Sequence, residues 1–337
     1  MERSLSRILI ETTVRQTLNG LAEDTQRTTR NLVDMALQFA QDRGQSRFFT
    51  RVREVLRRNN SPYYTLIQDV AGHVQRERLM TFGMNLGYNS CIWGIRQIRA
   101  REKQLGFHIP WAVLLQTDPD SYARHREQYG QVLEEGERLG IYTWGLFAHG
   151  APLLPLVEEH PDSAFFLFCR PEDVTETFLD AVERTYHLMP VVRMGAGAET
   201  ACALLRNRGI PYSVYTCYSS QDAESIAHGA WFRSAQRMHP IFTVLIAQPG
   251  CPSAVGHRVH EAVVAARSGQ RYRTVPWELC WDTVGLDKVI SHGTCGTFFD
   301  SSGNLYTLDG QKSSGGGNLF QDGLSQVLER AWPGGEI

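Results

Sequence analysis

The sequence is short of the features that would announce a metal, a membrane or a nucleic acid. Its seven cysteines, Cys91, Cys169, Cys202, Cys217, Cys251, Cys280 and Cys295, stand singly, with no CxxC pair and no compact even-numbered framework. That spacing excludes a disulfide scaffold and reads as reduced thiols, each of which taken alone behaves as a small buried hydrophobe. No run approaches the roughly 18 consecutive apolar residues of a membrane helix, and the start lacks a charged-then-apolar leader pattern. A cytoplasmic location without membrane contact is therefore expected. A formal net charge of -2 gives no overall pull toward nucleic acid. The nucleotide-binding fingerprint is missing too: Gly195-Ala196-Gly197 is a lone GxG without its third glycine.

What is present is an ordinary globular composition, 42% hydrophobic and 21% charged over 337 residues, long enough to bury a large core. Residues 1 to about 80 are helical in pattern, with apolar positions recurring at helical spacing and a break at Asp24 to Thr28. Arg47, Arg51, Arg53, Arg57 and Arg58 flank Phe48, Val52, Val55 and Leu56, which describes the solvated face of an amphipathic helix. No nucleic-acid partner is expected from it, because no exposed aromatics are interleaved. Ser61-Pro62 suits the start of a helix from Tyr63 to Val74, and Phe82 to Trp93 reads as a glycine-broken connector before a helix at Ile95 to Leu105.

From Pro110 onward, apolar runs alternate with amphipathic ones. Strands are expected at Pro110 to Gln116, Ile141 to Phe147, Ala164 to Phe168, Met189 to Met194, Tyr212 to Tyr218, Ile241 to Ala247 and Tyr272 to Trp281, with helices between them. The central stretch, Ile141 to Phe168, holds strand, tight loop, helix and strand, which is one β-α-β unit and implies parallel strands. In parallel sheets and barrels, ligands sit outside the carboxyl ends of the strands, so the loop His149-Gly150-Ala151-Pro152 belongs to a functional rim. Periodicity alone allows either a barrel or an open doubly wound sheet.

Three stretches carry a resemblance. His149-Gly150-Ala151-Pro152-Leu153-Leu154, with the helix and strand that follow, resembles the GGEPLL unit of radical SAM enzymes, with Ala151 at the position of the acidic residue. Ile109 to Pro119, read IPWAVLLQTDP, resembles a strand of the type IPWxLLLDPT, which in one branch of that family runs into a CxxxCxxC loop. Here the chain passes directly into Asp120-Ser121-Tyr122 without the loop. The tail, with Cys295, Asp300-Ser301-Ser302-Gly303-Asn304 and Tyr306-Thr307, is similar to a C-terminal SPASM-like auxiliary segment, written CxxG…DxxGxxYPC. The resemblance covers roughly residues 108 to 332. It implies a partial (β/α)6 TIM-like barrel of radical SAM type at 108–290, preceded by a helical segment at 1–107 and followed by a degenerate SPASM-like tail at 291–337.

In the family, three thiolates hold a [4Fe-4S] cluster whose fourth iron chelates the cofactor. Those thiolates are missing at Thr117 to Asp120, the acidic clamp is replaced by Ala151, and the auxiliary ligands are reduced to Cys295. Radical chemistry is therefore not expected, and no cofactor is expected, S-adenosylmethionine or a nucleoside bound without radical chemistry being left as an alternative. The leading expectation is a pseudoenzyme that binds a small ligand, a peptide or a partner protein such as a catalytic relative, through Thr117, Asp118, His149, Gly150, Ala151, Pro152, Arg170 and Tyr218. A second reading is a repurposed metal or thiol enzyme, with His149, Cys169, Cys217 and Cys251 converging at strand ends, or His292 and Cys295 joining Cys280. A third assigns acid-base work to Asp118, His149 and Asp282.

Overall fold

The computed structural model describes residues 5–21, 23–40, 43–148, 150, 152–290, 295–307, 312–313 and 315–334. Five helices lead the chain: α1 (Leu5–Asn19), α2 (Thr25–Phe39), α3 (Arg43–Val55), α4 (Pro62–His73) and α5 (Arg76–Met84). Asp24 caps α2 by accepting from the Arg27 amide, and Ser61 caps α4, with Pro62 in its first turn. The expected connector at Phe82 to Trp93 is instead helical throughout. Asn85–Gly94 is π-helix, continuous with α5 before it and with α6 (Ile95–Leu105) after it. Its glycines do not break it because tertiary contacts override propensity: Asn85 and Asn89 donate to the carbonyls of Ser163 and Asp162, and Gly94 lies against Gly140.

The rest is a βα succession. The strands are β1 (Ala112–Gln116), β2 (Thr143–Phe147), β3 (Ala164–Cys169), β4 (Leu188–Arg193), β5 (Ser213–Tyr218), β6 (Phe242–Ala247), β7 (Val275–Glu278), β8 (Thr297–Phe299) and β9 (Leu305–Tyr306). The helices between them are α7 (Pro119–Leu139), α8 (Leu154–Glu158), α9 (Glu176–Val182), α10 (Ala198–Asn207), α11 (Ala223–Ala227), α12 (Ala230–Ala235), α13 (Ser253–Ser268) and α14 (Leu279–Ile290), and α15 (Leu319–Asp322) and α16 (Leu324–Ala331) end the chain. The strands lie side by side in the order β7-β6-β5-β4-β3-β2-β1-β8-β9, all parallel except β9. β7 is shorter than the expected Tyr272 to Trp281. Glu278 accepts from the Trp281 amide and turns the chain into α14.

Sequential right-to-left addition of parallel strands curls the sheet into a half-barrel, and α14 proves the curl. A flat sheet would hold β1 and β7 roughly 29 Å apart. Yet α14 starts at the end of β7, and within about 12 Å of helical rise its Asp287 accepts from the Trp111 amide at the foot of β1. The convex face of the sheet is sealed by helices. Val113, Leu115, Trp144, Leu146, Phe165 and Leu167 pack there with Tyr129, Leu133, Leu179 and Leu205 in one continuous core. Each such side chain contributes about 1.5–3 kcal/mol by leaving water.

The concave face is different in kind. Register sets Phe298, Leu114, Gly145, Phe166 and Met189 in one cross-strand row and Gln116, Phe147, Phe168, Val191 and Ser213 in the next. Phe147 stacks on Phe168 at 4.2 Å between ring centres, and Phe168 meets Tyr215 edge-on at 5.3 Å. The N-terminal helices close the foot of this trough, where Phe82 of α5 stands edge-on to Phe166 at 5.5 Å. Arg78 locks them there. Fully buried, its guanidinium donates to the carbonyls of Val182, Glu183 and Thr185 at the end of α9, and burial pushes its pKa down to about 10.

The tail returns to the same sheet. β8 pairs with β1, the Asp300–Asn304 turn brings β9 antiparallel to β8 with Gly303 at φ 77°, and His108 donates its amide to Trp332.

Candidate functional site

The carboxyl ends of the parallel strands form a rim, and most of the described residues proposed from sequence lie at or just beyond these ends, Cys295 before β8 being an exception. His149, Ala151 and His292 fall outside the described residues. At the β1 end, Thr117 is buried and its amide donates to Phe147. Asp118 caps α7 by accepting from the Ser121 amide at 2.8 Å, a bond that holds its carboxyl below the usual range. At the β2 end, Gly150 takes φ 85°. At the β3 end, Arg170 closes on its own chain: its amide and guanidinium bond Asp173, and Glu172 lies 3.4 Å away. At the β4 end, Gly197 takes φ 81° and caps α10.

The cysteines do not gather. Cys169 points to the convex side, buried in the core with Cys202, whereas Cys217 belongs to the concave face, in register with Ile246. Cys91 sits in the π-helical segment, Cys295 precedes β8, and Cys251 and Cys280 follow β6 and β7. Burial pushes the thiols of Cys91 and Cys202 up to about 12 and raises those of Cys169, Cys217 and Cys251 as well. Cysteine ligands of an iron–sulfur cluster must be thiolates gathered around one centre, and this scattered set of hard-to-ionise thiols does not fit one. Among the described residues no group of three or more His, Cys, Asp or Glu side chains could hold a metal ion.

The densest polar cluster lies at the ends of β5 and β7. Tyr218 and Glu278 are fully buried behind the sheet, and the Tyr218 hydroxyl donates to Glu278 Oε1 at 2.9 Å. Burial pushes Glu278 up to about 7, against the opposing hydrogen bonds from the Trp281 amide and Tyr218. Burial raises the Tyr218 hydroxyl too. Asp282 receives Arg267 through both carboxylate oxygens at 2.7 and 2.9 Å, lies 3.2 Å from His260 Nε2, and accepts from the Glu278 amide. Burial pushes Asp282 up, and the Arg267 and His260 hydrogen bonds outweigh it, holding the group ionised below its ordinary value. Sequence reasoning named Tyr218 and Asp282 and missed Glu278, His260 and Arg267. The one available signal was Glu278 at a buried-facing position of a predicted strand.

In the trough below the rim, aromatic groups from five strands stay partly open. Phe147, Phe166, Phe242, Trp277 and Phe298 are all half-buried. Arg193 ends β4 on this same face, paired in register with Tyr215, and acts electrostatically on Tyr215 and Cys217. It is exposed and makes no ion pair with a described residue.

No protein-family profile matches the chain, and no curated protein sequence matches it. Solved structures with similar folds include Streptococcus suis SuiB bound to S-adenosylmethionine, with a TM-score of 0.48 at 10% identity over 71% of this chain and 68% of that one. SuiB bound to the precursor peptide SuiA gives 0.48 at 10% over 71% and 69%. Native anSMEcpe with bound AdoMet gives 0.42 at 11% over 65% and 80%. Each of these likenesses stands at about one residue in ten identical and at a TM-score below 0.5.

Proposed function

We propose that this chain is a radical SAM-like half-barrel that works as a binding module, without an iron–sulfur cluster, and takes its ligand in the concave trough. The observation that carries the reading is the contrast within the rim. The thiols are scattered over both faces, five of them with raised pKa values, whereas the trough offers half-buried aromatic walls beneath a cation, Arg193, that pairs with no described residue. Aromatic rings from β2, β3, β6, β7 and β8 suit a flat apolar group, and a guanidinium at the mouth suits a carboxylate, sulfonate or phosphate attached to it. The partner is then a small amphipathic anion or an aromatic side chain near a peptide carboxylate.

The test is a titration of the whole chain with anilinonaphthalene sulfonate, an aromatic anion whose fluorescence rises in apolar surroundings, followed also by Trp277 emission. Saturable one-to-one binding that weakens at least tenfold in Arg193→Glu supports the reading. Binding that is non-saturable, or equal in the wild type and Arg193→Glu, overturns it.

A further inference from the structure

Three tyrosines lie on or beside β5, and one of them differs from the others. Tyr212 and Tyr218 face the convex side, where the Tyr212 hydroxyl donates to the Met238 carbonyl at 2.7 Å and the Tyr218 hydroxyl donates to Glu278 Oε1 at 2.9 Å. Tyr215, an odd number of residues from both, faces the trough. It is only 7% exposed, yet its hydroxyl bonds no described residue. A buried tyrosine hydroxyl ordinarily finds a partner, and one left unmet calls for a reason.

We propose that Tyr215 is the second anchor of the trough ligand, its hydroxyl and the Arg193 guanidinium holding two oxygens of one anionic head group, a carboxylate, sulfonate or phosphate. The inference rests on the reading of the trough given above and narrows it.

Register makes Arg193 and Tyr215 direct neighbours on parallel strands, about 4.8 Å apart. The Met194 amide donates to the Tyr215 carbonyl at 2.8 Å and fixes that register. Both side chains leave the sheet on the same face, so a donor from each can reach one anion from two sides. Phe168, edge-on at 5.3 Å, packs against the phenol ring together with Val191 and Val244. The hydroxyl is therefore placed before a ligand arrives, and binding costs little side-chain entropy there. The other ions that act on Tyr215, Arg170 and Asp173, are engaged with each other through the Arg170 amide and guanidinium. Arg193 pairs with no described residue. Two unmet donors side by side match a group with at least two acceptor oxygens, whereas an ammonium or an amide N–H set between them would leave both unmet.

Titration of the full chain and of Tyr215→Phe with two probes tests this: anilinonaphthalene sulfonate, and N-phenyl-1-naphthylamine, the same rings without the sulfonate. Tyr215→Phe keeps the ring and removes the donor. Affinity for the sulfonate is expected to fall about tenfold, as for loss of a hydrogen bond to a charged group, while affinity for the neutral probe stays within about twofold. The urea midpoint is expected not to fall, because the hydroxyl has no protein partner to lose. Combining Tyr215→Phe with Arg193→Ala is expected to cost less than the product of the two single losses, since both groups hold one anion. An unchanged sulfonate affinity, an equal loss for both probes, a fall in the urea midpoint, or single losses that simply multiply overturns the proposal. The two readings fail separately. Indifference to Arg193→Glu removes the trough as a site, whereas a response to Arg193→Glu without one to Tyr215→Phe leaves the trough standing and removes Tyr215 from it.

Discussion

The two ends of the rim use the same residue types in opposite ways. Around β1 to β3, Asp118 and Arg170 satisfy themselves within three residues, as a helix cap and as a local ion pair. Around β5 to β7, Tyr218, His260, Arg267, Glu278 and Asp282 reach across four elements; Tyr218, Glu278 and Asp282 are buried, and His260 and Arg267 half-buried. Charged groups at a strand end that bond to their own loop shape the backbone and leave nothing for a neighbour. Charged groups that bond between elements fix how those elements sit, and here they fix α13 against α14.

The comparison breaks most sharply at Arg267. Replacing it with alanine leaves Asp282 buried with only His260 and the Glu278 amide as partners, and is expected to lower the unfolding free energy in urea by about 3–5 kcal/mol. A loss under about 1 kcal/mol would place this network on a par with the other rim. Asp118→Ala removes one cap from a long helix and is expected to lower stability by about 1 kcal/mol, read by the same urea titration. The smallest effect belongs to Arg170→Ala. That side chain is nearly half exposed, its ion pairs are solvated, and the urea midpoint is expected to stay where it is in the wild type. If Asp118→Ala or Arg170→Ala instead abolished ligand binding while leaving stability intact, the first rim would be functional after all.

Much of the architecture was legible because parallel strands are apolar on both faces and short. The seven runs from β1 to β7 stand out between amphipathic stretches, and Gly140, at φ 101° with the Gly94 carbonyl pressed against it, ends α7 as its position after a periodic helix suggests. Two kinds of feature were hidden. The π-helix at Asn85–Gly94 depends on buried amides of Asn85 and Asn89 reaching a loop more than 70 residues away, and no local preference encodes that. The end of β7 is set by Glu278 and Asp282, which cap the start of α14 from within an apolar run and so read as strand. The return of the tail to β1 was likewise invisible, since β8 is only Thr297–Phe299 and its pairing is non-local.

The same holds for the rim. Residue type and strand-end position placed Thr117, Asp118, Cys169, Arg170, Cys217 and Tyr218 near the mouth, but facing could not be read across bulges and loops. Cys169 and Cys217 emerge on opposite sides of the sheet because register aligns Cys169 with Val192 and Val214, and Cys217 lies three residues, an odd number, beyond Val214. Arg193 carried no motif. Only register shows that it shares a face with Tyr215 above the aromatic trough.

The most direct measurement is anaerobic reconstitution of the purified full-length chain with ferrous iron and sulfide, followed by desalting, an absorption spectrum and an iron determination. Scattered, protonated thiols predict no visible charge-transfer band and no stoichiometric iron. A retained cluster with matching iron and sulfide, lost when Cys217, Cys251 or Cys280 is replaced by serine, would contradict the account.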